Sequence, residues 1–408
     1  MIQPRLLFLS QTLPYPPDGG VKVRTFHILR LLAQEFRVTA LCFFRHENGL
    51  GTDEVERRVD ALRTFGHVEA FPIPQEHSVT RLLADHVQSM LRRRPYTVFT
   101  YESTPFRRAL ERQVRDTDFD IIHADSLDLS GYFPAVTGRP LVCVHHDAQS
   151  TLLRRRASRE KVGWRRQYLK MQAQLMEREE RRWCPRVSLN VTVSDVDRST
   201  MEGLAPNAGF TVVPNGVDVD FFQPEECEHG QEGMVFVGGT SWFPNLDALE
   251  HFHDDILPLL RKKKVDEPVT WVGQASNKEM HRYQREGVLH LTGRVPDIRP
   301  FLTRAKCYIV PLRAGSGTRI KILDAWAMGK AVVSTSVGCE GLKAVDGKNI
   351  LIRDTPDEFA DGVKEVLTDA TLRAHLEQQA RHTAVKEYSW DAIGVQLIES
   401  YRALLDRS

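Results

Sequence analysis

Short apolar runs rich in β-branched residues alternate along this chain with longer stretches whose apolar positions recur every three or four residues. The first kind reads as strands buried on both faces, the second as amphipathic helices laid over them. In the first half the predicted strands are Arg5 to Ser10, Arg37 to Phe43, His67 to Pro72, Phe119 to His123, Pro140 to Val144 and Ser188 to Val193. The alternation then starts afresh. Beyond Pro214-Asn215-Gly216-Val217-Asp218 and an acidic, glycine-containing connector from Glu225 to Gly233, strands are expected at Met234 to Val237, Val269 to Val272, Val288 to Leu291, Cys307 to Val310, Ala331 to Ser334 and Asn349 to Ile352. Parallel strands joined by helices make an α/β architecture, here two tandem doubly wound, Rossmann-like domains. The expected division is 1–205, a linker at 206–233, 234–386, and a C-terminal helix at 387–408. Ligands of such sheets lie beyond the carboxyl ends of the strands, so a substrate held by both domains would occupy the cleft between them.

Composition changes the picture mainly by exclusion. A chain of 408 residues suits two domains of about 200 residues each. With 41% hydrophobic and 27% charged residues it reads as soluble and globular, and a net charge of +1 argues against general nucleic-acid binding. The longest apolar runs are strand-sized, well short of the roughly 20 residues that cross a bilayer. Leu6-Leu7-Phe8-Leu9 is followed at once by Ser10-Gln11 and a proline-rich turn, unlike a signal peptide. The six cysteines show no CxxC or Cys/His spacing, so no zinc site or disulfide framework is indicated and a cytoplasmic protein is expected.

The candidate chemistry is densest between Gly315 and Ser334, where a glycine turn, Arg319, Lys321, Asp324 and a helix start lie between two apolar runs. Free N–H groups at Gly315, Ser316, Gly317 and Thr318, together with the positive end of a helix dipole, favour a phosphate there, and the two cations can add charge-assisted bonds. Gly19 and Gly20 end the first strand and open a helical run from Val21 to Leu32, a setting that suits a phosphate or sugar contact and equally an ordinary tight turn. Lys22 and Arg24 in the next turn read as solvated helix residues, although either could meet an anionic acceptor. His146 follows the apolar run Leu141 to Val144, where a parallel strand delivers side chains to a ligand, with Asp147 as a candidate for holding its tautomer.

Taken in order and spacing, several short motifs resemble the GT-B nucleotide-sugar glycosyltransferases, most closely the retaining group 1 type, glycosyltransferase family 4. They are Pro14-Tyr15-Pro16-Pro17-Asp18-Gly19-Gly20, His146, Thr192-Val193-Ser194-Asp195, Pro214-Asn215-Gly216-Val217-Asp218, Phe236-Val237-Gly238, Leu291-Thr292-Gly293-Arg294-Val295-Pro296-Asp297 and the segment from Gly315. The resemblance implies a nucleoside diphosphate sugar as co-substrate, no cofactor, no metal, and a saccharide, lipid-linked or small-molecule acceptor. It places Gly19 and Gly20 over donor and acceptor, His146 against the transferred sugar, Gly238 in the donor site, and the backbone of Arg294 and Val295 along the base pocket. The family's two glutamates, eight positions apart, fall on Ser316 and Asp324. Asp324 keeps a carboxylate for the ribose hydroxyls, whereas Ser316 has lost the charge. Two cations that relatives aim at the donor diphosphate are also missing, because their positions read Gly239 and Pro244-Asn245. Arg319 and Lys321 then stand as the groups that would balance the diphosphate. Asp218-Val219-Asp220 has the letters of a metal-binding motif but reads as turn and helix-entry residues. Alongside the transferase, a nucleotide-sugar-binding scaffold and a GT-B sugar-nucleotide epimerase remain open readings.

From Leu153 to Trp183 the chain carries a net charge of +7, with Leu153, Trp164, Tyr168 and Met171 interleaved. Such a helix fits peripheral contact with an anionic membrane face, to which Arg92-Arg93-Arg94 would add, and equally a solvated helix packed by its apolar stripe. Tyr388 to Leu405 reads as an amphipathic helix, with Trp390 as packing; the resemblance implies that it returns to the first domain.

Overall fold

In β1 (Arg5–Ser10) the residues Leu6, Leu7, Phe8 and Leu9 expose no surface, as expected of a strand covered on both faces. The computed structural model describes residues 3–45, 51–75, 78–227, 230–283, 287–314 and 320–406. Around β1 stand β2 (Arg37–Phe44), β3 (Gly66–Pro72), β4 (Ile121–Ala124), β5 (Leu141–His145), β6 (Leu189–Thr192) and β7 (Phe210–Val212), in the order β3-β2-β1-β4-β5-β6-β7. A second sheet is built from β8 (Met234–Val237), β9 (Val269–Val272), β10 (Leu289–Leu291), β11 (Cys307–Val310), β12 (Val332–Ser334) and β13 (Leu351–Ile352), in the order β10-β9-β8-β11-β12-β13. Neighbouring strands pair in parallel in both sheets.

Each sheet is doubly wound. Its first strand lies between the second and the fourth, so the winding reverses between β1 and β4 in one sheet and between β8 and β11 in the other. The splayed connections leave a crevice at the carboxyl ends of those strands, where α/β folds bind ligands.

The chain divides into two compact units, the first running to Pro214 and resuming at Gly394, the second spanning Asn215–Ile393. The predicted strands recur with ends shifted by a residue or two. One strand departs from expectation: β7, assigned to the linker, hydrogen-bonds to β6 at the sheet edge. All three of its residues are only half-buried, so it lacks the apolar signature of a central strand.

The Pro214-Asn215-Gly216-Val217 motif has a packing role. A Cβ on Gly216 would lie 2.7 Å from the buried ring of Trp390, and Val217 donates to the Tyr388 carbonyl at 2.7 Å. Trp390 is therefore a packing residue within the second unit, as expected from the sequence. Asp218 closes a turn by accepting from the N–H groups of Asp220 and Phe221. The C-terminal helix begins at Trp390, and from Gly394 onward it belongs to the first unit, burying Leu397 and Tyr401.

Candidate functional site

At the crevice of the first sheet, the residue following β4 is Asp125, a fully buried carboxylate. Oδ2 accepts from Thr25 Oγ1 at 2.6 Å and from Ser10 Oγ at 3.3 Å, while Oδ1 faces His123 Nε2 and His146 Nε2, each at 3.7 Å. Burial alone pushes this carboxyl up, but the two imidazoles outweigh burial and hold it well below the usual carboxylate range. His123 stacks on Phe8, and its Nδ1 lies 2.5 Å from the hydroxyl of Tyr401 on the C-terminal helix. His146 Nε2 donates to the Asp125 carbonyl at 2.7 Å, which leaves Nδ1 as the lone-pair nitrogen of the neutral ring.

Arg24 corrects the sequence expectation. It is buried, not solvated, and its Nη1 and Nη2 donate to the carbonyls of Pro214 and Val213, each at 2.8 Å. Burial lowers its pKa to about 10, against the favourable field of Asp125. The helix Gly20–Glu35 turns Arg24, Thr25, His27 and Ile28 inward on one face, so polar residues occupy what would ordinarily be an apolar stripe. Lys22 pairs instead with Asp18 at 3.1 Å. Gly19 sits in extended backbone at φ −159°, and a Cβ there would meet nothing within 4 Å. Neither conformation nor packing inside the chain requires glycine at that position.

The second unit places its chemistry at the β8/β11 crevice. After β8 the chain turns through Gly238 and Gly239 into the helix Phe243–His251, whose Asn245 donates from Nδ2 to the Gly239 carbonyl at 2.9 Å. Lys321, on the helix Ile320–Ala327, reaches across the same turn. Its Nζ donates to Asn245 Oδ1 at 2.6 Å and lies 4.1 Å above the centre of the Phe236 ring. Only glycine fits beneath this pair, because a Cβ on Gly238 would come within 2.5 Å of Asn245 Nδ2 and 2.8 Å of Lys321 Nζ. A lysine from one helix thus reaches the side chain of Asn245 on the other.

Asp324, three residues beyond Lys321 and so on the same side of that helix, is half-buried. Burial pushes its carboxyl up to about 7, with Lys321 opposing. A further cation that sequence reasoning passed over, Arg313 just beyond β11, is held by Asp247 at 2.9 and 3.2 Å. Arg294 is exposed and Val295 half-buried against the core, both beyond the carboxyl end of β10. Ser316, Gly317, Thr318 and Arg319 lie outside the described residues. The structure therefore brings Gly238 and Lys321 together, with Asp324 a turn away from Lys321, and sets His146 on a buried network in the first unit. Asp125, His123 and Tyr401 are the site residues that sequence reasoning missed. For Asp125 a signal existed: a carboxylate three residues after the apolar pair Ile121-Ile122 marks the carboxyl end of a buried parallel strand.

Comparison with known families decides the identity. The profile described as Glycosyltransferase Family 4 matches residues 18–221, half the chain, and the profile described as Glycosyl transferases group 1 matches residues 231–369. The chain belongs to the group 1 glycosyltransferases. Its fold is GT-B, as the sequence resemblance implied. A sucrose-phosphate synthase from Thermosynechococcus elongatus superimposes with a TM-score of 0.73 at 13% identity, covering 99% of this chain and 100% of the other. HepE of Anabaena, solved with UDP-glucose, does so with a TM-score of 0.66 at 16% identity, covering 98% and 99%. Among curated sequences, the lipopolysaccharide core biosynthesis glycosyltransferase LpsE of Rhizobium meliloti is 30% identical over 109 residues, 26% of this chain. That alignment spans 32% of the length of the Rhizobium protein. The chain matches the curated relatives over 40% of their length or less.

Proposed function

We propose that this glycosyltransferase moves a sugar from a nucleoside diphosphate sugar to a hydroxyl acceptor with retention of anomeric configuration, and that Lys321 balances the donor diphosphate. The observation that carries the reading is the Lys321 ammonium held 2.6 Å from Asn245, over the backbone of Gly238. The nucleotide named for HepE supports a uridine donor as the first to try. Loss of the sugar requires negative charge on the leaving diphosphate to be met as the glycosidic bond loosens, and a preorganised ammonium does this without reorganisation. Arg319 adds a second cation on sequence grounds. In the proposed course the acceptor hydroxyl attacks on the face from which the diphosphate departs, and its proton passes to the leaving phosphate oxygen. No step needs a metal ion.

In this reading Asp324 accepts the ribose hydroxyls and His146 is a positioning residue, offering its Nδ1 lone pair to a hydroxyl of the transferred sugar. Gly19 leaves room for the ligand to approach the backbone. The acceptor belongs to polysaccharide, glycolipid or small-molecule glycoside synthesis.

The Asp324 assignment has a pH signature. In the free enzyme the raised carboxyl keeps its proton up to about pH 7, so its contribution to folding is greatest at low pH and declines as pH rises through about 7. Hydroxyl donors favour the ionised form, so donor binding expels that proton. Affinity for an intact nucleoside diphosphate sugar, whose phosphates do not titrate in this range, should rise as pH increases from 6 to 8. Titration calorimetry in buffers of different ionisation enthalpy should show proton release near pH 7, and Asp324→Asn should abolish both effects. A pH-independent affinity in the wild type would remove Asp324 from the ribose site.

A further inference from the structure

The helix Val79–Arg92 is packed inside out. Its buried residues are Asp85 and Ser89, whereas Val79, Leu83, Val87, Met90 and Leu91 face solvent, with Leu83 62% and Leu91 77% exposed. The polar face is fully engaged inward. Asp85 accepts from Arg81 Nε at 2.8 Å and Gln75 Nε2 at 3.1 Å, and Ser89 Oγ donates to the Arg94 carbonyl at 2.7 Å. These bonds fix the rotation of the helix, so its apolar stripe cannot turn inward without stranding a buried carboxylate.

A second exposed group lies beside it. The helix Gly163–Trp183 runs alongside in the same direction, with His86 stacked on Tyr168, Gln172 bonded to Ser89 and Arg94 paired with Glu179. Carried back one turn, that register sets Trp164, 70% exposed, level with Leu82 and Leu83. The apolar residues Leu169, Leu175 and Met176 further along are buried, so only the start of this helix is available to a partner. Exposed charge along these two segments has one sign. Arg92, Arg93, Lys161, Arg165, Arg166 and Lys170 are exposed, while the only carboxylate from Val79 to Arg94 is the buried Asp85, and from Lys161 to Lys170 there is none.

We propose that this face docks the enzyme on an anionic lipid bilayer, the Val79–Arg92 helix lying in the plane of the headgroups with Trp164 beside it. A helix with aliphatic residues on its outer face, flanked by Arg and Lys and followed by an exposed Trp, has the composition of an interfacial anchor. Anionic headgroups answer the six exposed cations. A second copy of the chain is the poorer occupant, since a two-fold interface would set the same cations against themselves. Among the described residues no helix is long and apolar enough to cross a membrane.

The test is flotation of the full chain with vesicles of phosphatidylcholine alone and of phosphatidylcholine with 30 mol % phosphatidylglycerol, a composition chosen as roughly that of an anionic leaflet. The expected result is binding to the anionic vesicles and little to the neutral ones. Lys161→Ala with Arg165→Ala should lower partitioning roughly thirtyfold, at about 1 kcal/mol per cation, and Leu83→Glu with Leu91→Glu should abolish it. All four residues are exposed, so the thermal transition should not move, and an unchanged transition certifies the variants. Failure of the wild type to float with anionic vesicles would overturn the proposal. So would variants that float as well as the wild type. Concentration-dependent dimers lost in the Leu83→Glu, Leu91→Glu chain, without vesicle binding, would assign the face to a second copy instead.

Discussion

Asp125→Ala is expected to cost about 3–5 kcal/mol of folding stability, the range for removing one partner from a buried ionic network. The residue earns that figure through its partners. It accepts from Thr25 and Ser10, faces two imidazoles, and supplies the field that keeps the buried Arg24 charged. Denaturant melts at pH 7 would measure the loss, which is a large share of the 5–15 kcal/mol typical of a folded domain. The pH dependence follows from the depressed carboxyl. Its contribution is present above the ordinary carboxylate pKa and is lost as pH falls through the lower folded value, so the gap between wild type and Asp125→Asn should narrow in acid. Equal stability of wild type and Asp125→Asn at pH 7 would show that the charge is immaterial and that only the shape of the side chain counts.

The second large effect is on binding. Lys321→Met keeps the aliphatic packing over Phe236 but removes the ammonium that bonds Asn245. Losing a charged hydrogen bond of about 1.5–3 kcal/mol should weaken nucleoside diphosphate binding roughly ten- to hundredfold. The thermal transition should change little, because the ammonium is half-buried. Asn245→Asp tests the same pairing in reverse. A carboxylate there would hold the ammonium more tightly and repel the diphosphate, lowering affinity, while giving up the Nδ2 bond to the Gly239 carbonyl. An affinity unchanged in both variants would place the diphosphate elsewhere.

Strands were the most legible part of the sequence, because parallel strands covered on both faces must be apolar throughout, and Ile121-Ile122 or Val332-Val333 say so directly. At the sheet edge the rule lapses, which is why Phe210-Thr211-Val212 read as linker. The glycine turn and the loss of a cation at Asn245 were visible too, since both are departures from a known pattern. Invisible was the fact that Lys321 closes onto Asn245, 76 positions earlier in the chain. Arg24 misled for a related reason: its partners are backbone carbonyls at Val213 and Pro214, which carry no side-chain signature. Likewise the inverted face of the Val79–Arg92 helix depends on which way the helix is turned. Its amphipathic pattern is plain in the sequence, but the pattern alone cannot say that the polar side is the buried one.

The central claim is that the donor diphosphate rests on Lys321. The direct measurement is a calorimetric comparison of uridine diphosphate with uridine, and of the corresponding adenosine and guanosine pairs, for the wild type and Lys321→Met. The account predicts that one diphosphate binds the wild type selectively, that its advantage over the bare nucleoside shrinks roughly ten- to hundredfold in the variant, and that nucleoside affinity is the same in both. A diphosphate advantage that survives intact in Lys321→Met would contradict it.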